Sequence, residues 1–135
     1  MKQINSALAN WLLSYGLIIL SAFLDSFAAY MVKARFGQIE SINFSSGKLF
    51  LKWLLNFIDS PMMILALVGF IIAPGLWFLA LNRIQLSVGY LFLVAFHVVF
   101  ILILSIGYLG EPLTIRKVGA TLLLLGSIVL IYDRT

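Results

Sequence analysis

Four apolar stretches, each close to the length of a membrane-crossing helix, constrain this chain more than any other feature. A hydrocarbon core about 30 Å thick takes roughly 20 residues of helix. The first stretch runs from about Trp11 to Val32 and holds one charge, Asp25. The second runs from about Met62 to Leu81, with Pro74 in its middle. The third, about Leu86 to Leu109, has no charge and one histidine. The fourth, about Leu113 to Tyr132, carries Arg116 and Lys117 in its first turn. Such segments need covering in water, and little is available to cover them. Of 135 residues, 63% are hydrophobic and 10% charged, where soluble domains carry about 25% charge. A soluble enzyme, a nucleic-acid-binding domain and a disordered chain are all disfavoured. The expected fold is all-α and integral to the membrane, one domain over residues 1–135 with spans near 11–32, 62–81, 86–109 and 113–132. The expected location is the plasma (inner) membrane, crossed several times.

The connections differ in kind. Asn82 to Gln85 and Gly110-Glu111-Pro112 are tight turns, so successive helices there should be antiparallel neighbours, with Pro112 suited to a first helical turn. The first connection, Lys33 to Pro61, is much longer. Within it Lys48, Lys52 and Asn56 recur every four residues among apolar neighbours, a narrow polar stripe on an apolar cylinder. That pattern fits an amphipathic helix in the membrane interface, or an extension of the second span. Asn43-Phe44-Ser45 matches a glycosylation sequon, a triplet common by chance.

The net charge of +4 is read as topology rather than nucleic-acid binding, because the basic residues lie between apolar runs. Lys2, Arg83 and Arg134 fall on one side, while Lys33, Arg35, Lys48, Lys52, Arg116 and Lys117 fall on the other. The larger group belongs in the cytoplasm, which leaves both termini outside. The bias is weak enough for insertion in both orientations.

Asp25 is the most informative residue. A carboxylate within a span costs several kcal/mol, so such residues face protein or water and mark pathways. Ser14, Ser21, Asp25 and Ala28 follow 7-4-3 spacing, with Ala22, Ser26 and Ala29 beside them, a small and polar stripe suited to close packing or a cavity wall. Lys33 lies eight residues on, about 12 Å along a helix, too far to neutralise Asp25. In the third span Tyr90 and His97, seven apart, share a face, and the imidazole can relay protons or pair with Asp25. Trp77, three residues beyond Pro74, can line a binding cavity or simply pack. Gly69 and Ala73 permit close approach on the second span, and Gly119 and Gly126 on the fourth, within or between protomers. Glu111, at a helix entrance, reads as a capping residue. With no cysteine, one histidine and no Gly-rich loop, no metal, cofactor or enzymatic site is expected.

Two segments resemble the drug/metabolite transporter superfamily at the level of a four-helix half-unit. Leu79-Ala-Leu-Asn-Arg-Ile-Gln-Leu-Ser-Val-Gly-Tyr90 is similar to its turn between helices two and three, and Gly110-Glu-Pro-Leu-Thr-Ile-Arg-Lys-Val-Gly-Ala120 to the start of its helix four. The four-helix members include small multidrug resistance exporters and the subunits of an aminoarabinose-phosphoundecaprenol flippase. In the exporters a first-helix glutamate binds protons and cationic substrates alternately, followed eight residues later by a lysine. The resemblance puts Asp25 and Lys33 in those places and Tyr90 at an aromatic position of the third helix, while Leu93 replaces a tryptophan.

One copy is too small to enclose a pathway with two gates, so a dimer is expected, with itself or with a paralogue. Antiparallel packing would recreate the inverted repeats of larger transporters, with the site near the midplane. The expected function is export or flipping of a small cationic or amphiphilic compound, proton-coupled, with Asp25, Tyr90, His97 and Trp77 at the site. An alternative is translocation of a lipid-linked sugar such as an undecaprenyl-phosphate conjugate, with Lys33, Arg35, Lys48 and Lys52 meeting the anionic headgroup. A third is an accessory membrane subunit that transports nothing. Membrane lipids are partners in every case, and nucleic acid in none.

Overall fold

A computed structural model describes residues 2–39 and 46–132, and the side chains of 10, 12–39 and 46–130. The Asn43–Ser45 triplet and Arg134 lie outside the described residues. Five helices and no strand are found among those described: α1 (Lys2–Phe36), α2 (Gly47–Ile58), α3 (Pro61–Leu81), α4 (Leu86–Leu109) and α5 (Ile115–Tyr132). Three segments are long and apolar enough to cross a membrane: Leu12–Phe36, Pro61–Leu81 and Leu86–Leu109. The protein is a helical membrane protein.

α1 is the central element, with α3 along one flank and α4 along another, while α5 packs against α4. Residues buried along α1 are mostly small or hydroxylated, Ser14, Ser21, Ala22, Ser26 and Ala28, with Ile18 and Met31 the larger exceptions. They meet Ala66, Gly69 and Ala73 of α3, also buried. A Cβ on Gly69 would stand 3.1 Å from Ala28 Cβ and 3.4 Å from Leu24 O, so the lack of a side chain there sets how closely the two helices approach. Most large apolar side chains point outward, with Ile71 75% and Leu123 79% exposed. An apolar exterior around a small, hydroxylated interior suits lipid as the solvent, where close backbone packing replaces hydrophobic burial as the force between helices.

Local chemistry accounts for the helix ends, and some differ from the sequence reading. α1 continues through Lys33 and Arg35 to Phe36, so these two cations belong to its last turn rather than to a loop. There they face the partial negative charge of the helix C-terminus. α2 is a helix of its own: Asp59 and Ser60 break it from α3, and Pro61 takes the first position of α3. This excludes an extension of the second span. Phe57 of α2 is buried, its ring 4.8 Å from that of Phe36 and 5.1 Å from that of Trp53, and Arg35 Nη2 donates to Asn56 O at 2.8 Å. These contacts tie α2 to the end of α1.

α4 stops at Gly110, which adopts the left-handed conformation (φ 66°) that glycine tolerates best, and Glu111 N–H bonds back to Ser105 O. Pro112 lies outside α5, which begins at Ile115, two residues after Leu113. The sequence reading missed Thr114 as the cap. Its Oγ1 accepts from Lys117 N–H at 3.3 Å, satisfying an amide that the first turn otherwise leaves unbonded.

Candidate functional site: a carboxylate–imidazole pair between helices

Ser21 and Asp25 are one helical turn apart, so the stripe that buries Ser21 against α3 carries Asp25 to the seam with α4. There Asp25 Oδ2 lies 3.0 Å from His97 Nδ1. The two side chains are 38% and 28% exposed respectively, so neither is sealed inside the protomer. Ser26 fixes the α1–α4 seam beside them: its hydroxyl, buried, lies 2.7 Å from Ala22 O and 3.3 Å from His97 O. The sequence marked Ser26 as a small flanking residue but gave no sign of this bond, which joins residues far apart in the chain.

Asp25 also borders a cavity of about 140 Å3 with Ser21, Ala73, Pro74, Trp77 and Leu93. Pro74 lacks the amide that would bond Phe70 O, loosening the helix on this wall. One residue before it, Ala73 O accepts the buried Ser21 hydroxyl at 2.7 Å. Trp77 is held by its neighbours on α4. A Cβ on Gly89 would fall 3.2 Å from the indole, and the Tyr90 ring meets it edge-on at 6.3 Å between centroids. The wall therefore combines a carboxylate, an aromatic face and a hydroxyl, a set able to hold an organic cation through charge and cation–π attraction.

The four residues singled out from sequence are thus connected, though not all line one cavity. Asp25 and Trp77 line it, His97 pairs with Asp25, and Tyr90, 57% exposed, touches Trp77 from outside. Leu93, which the resemblance put in place of a tryptophan, completes the wall.

Two further cavities run toward the Gly110 turn. One of about 260 Å3 lies between α1 and α4, with Ser26, Tyr30, Lys33 and Glu111 among its lining. The other, about 300 Å3, lies between α4 and α5, with His97, Ser105, Glu111 and Lys117 among its lining. Glu111 lies four residues before α5, which Thr114 caps instead, and it pairs with Lys117, whose Nζ reaches its Oε2 at 3.3 Å and Pro112 O at 3.2 Å. Lys48 and Lys52 are exposed on α2, and Lys33 is exposed at the end of α1. Gly119 and Gly126 meet nothing within 4 Å of an added Cβ, so neither makes a close contact inside the protomer. Among the described residues no three metal-ligating side chains converge.

No protein-family model, no curated protein and no solved structure matches this chain.

Proposed function

We propose that this chain is one subunit of a small proton-coupled transporter of the plasma membrane that exports or flips a small cationic or amphiphilic compound. The observation that carries the reading is Asp25, a carboxylate within a span, paired with His97 and open to a cavity walled by Trp77. Ionisable groups are rare in spans because they are costly there, and pathways are where that cost has a use. The resemblance to the four-helix transporters points to the same residue by position. In this proposal α5 is the fourth span, its 18 residues being just long enough for a thin or locally adapted bilayer. The working unit is a dimer, of two copies or with a paralogue, because one protomer leaves Asp25 partly exposed and the glycines of α5 uncovered.

A second reading has its own support. The Arg35–Asn56 bond ties α2 to the end of α1, and so gathers Lys33, Arg35, Lys48 and Lys52 at that end of the bundle. Exposed lysines on an amphipathic helix suit anionic headgroups, as a lipid-linked sugar phosphate presents. One experiment separates the two. In reconstituted vesicles Asp25→Asn should abolish cation uptake driven by a proton gradient, while replacing the four cations with Gln should leave it largely intact. The reverse ranking, measured as flipping of a fluorescent polyprenyl phosphate, supports the second reading. If the unaltered chain raises neither activity above that of protein-free vesicles, an accessory subunit remains.

A further inference from the structure

Asp25 is already paired within the chain, with His97 Nδ1 3.0 Å from its carboxylate. A bare carboxylate inside a span costs several kcal/mol, so a cation arriving at Asp25 must displace the imidazole or share the carboxylate with it. Among the described residues no other charged side chain lines the cavity at Asp25. Ser21, Ala73, Pro74, Trp77 and Leu93, from α1, α3 and α4, are all neutral. Glu111 and Lys117 neutralise each other at the far end of the cavity that His97 borders, and Lys33 lines the separate α1–α4 cavity. Carboxylate plus imidazolium sums to zero, and so does carboxylate plus a bound monovalent cation.

We propose that His97, rather than Asp25, holds the exchanged proton: a monovalent organic cation takes the place of the imidazolium at Asp25, and His97 releases one proton as the cation binds. This deepens the transporter reading and rests on Asp25 being a cation site. The step balances. An imidazolium N–H bond breaks, its electron pair stays on the ring nitrogen, and the proton passes to water, while the carboxylate keeps its charge throughout. The site is neutral before and after, so no uncompensated charge enters the span. His97 borders the α4–α5 cavity of about 300 Å3, room for several waters at roughly 30 Å3 each, and Ser105, Glu111 and Thr121 give those waters polar partners. The Ser26 bond to His97 O holds the α4 backbone against α1.

His97 is the only histidine, so protein grown on 15N-labelled histidine reports this one ring. The probe is tetraethylammonium, whose permanent charge releases no proton of its own. Its binding to bilayer-reconstituted protein is measured by equilibrium dialysis, with Asp25→Asn as control. On saturation the 15N shifts should change from imidazolium to neutral imidazole. Calorimetry in buffers of different ionisation enthalpy should count about one proton released per cation bound by the unaltered protein. Asp25-dependent binding with an unchanged ring, or with no proton released, overturns the inference and leaves the cation site standing. Binding that is absent, or indifferent to Asp25→Asn, overturns both.

Discussion

The α1–α3 seam and the α5 helix use the same kind of residue to opposite effect. Along α1 and α3 the small residues are used up inside the protomer: Gly69 lies against Ala28, Ala66 and Ala73 are buried, and the Ser21 hydroxyl bonds Ala73 O. On α5 the glycines at 119 and 126 face open space, and Leu122, Leu123, Val129 and Leu130 are all exposed. A small residue in a span permits close approach but does not say which helix approaches. The difference teaches that the first seam is a matter of folding, whereas the surface of α5 remains available to a neighbour outside the chain.

The largest expected effect breaks the seam. Gly69→Leu puts a side chain where even a Cβ stands 3.1 Å from Ala28 Cβ, forcing α1 and α3 apart at a cost of about 1–3 kcal/mol. Equilibrium unfolding in mixed micelles should show that loss, and stability within error of wild type would refute the close approach. A smaller effect comes from Ser21→Ala, which deletes the bond to Ala73 O while leaving that carbonyl within its helix. Interhelical bonds in membranes contribute about 0.6 kcal/mol and rarely exceed 1.7, so the same titration should move by that order. A movement as large as that of Gly69→Leu would mean the hydroxyl does more than join two helices.

The smallest effect on the protomer sharpens the contrast. Gly126→Leu meets nothing within 4 Å in its own chain, so unfolding should be unchanged. Analytical ultracentrifugation in detergent should instead show a shift toward monomer, as the proposed dimer requires. An unshifted distribution would make the face of α5 a lipid surface.

The long apolar helices were legible in sequence because apolar length is a local property, although among the described residues three segments, not the four expected, are long and apolar enough to cross a bilayer. α4 falls on its expected bounds, and α3 starts one residue early because Pro61 serves as its first residue. Boundaries set by side-chain bonding were less legible. Thr114 rather than Pro112 opens α5, and two cations thought to lie in a loop close α1. At the site, the buried stripe of Ser14, Ser21 and Ala28 followed from helical periodicity. The sequence also presented Asp25 and His97 as the chain's mid-span ionisable groups.

What the sequence alone determined is an all-helical membrane chain with a carboxylate it cannot leave without a partner, since hydropathy and the cost of charge in lipid need no knowledge of neighbours. Only the tertiary structure decided who the neighbours are. That Asp25 meets His97, that Trp77 is held by Gly89 and Tyr90, and that Glu111 faces Lys117 depend on how each helix is rotated about its axis. That rotation is set by where backbones can come closest, at Gly69 against Ala28 and at Ser26 against His97 O, and residues so far apart in sequence carry no local record of it.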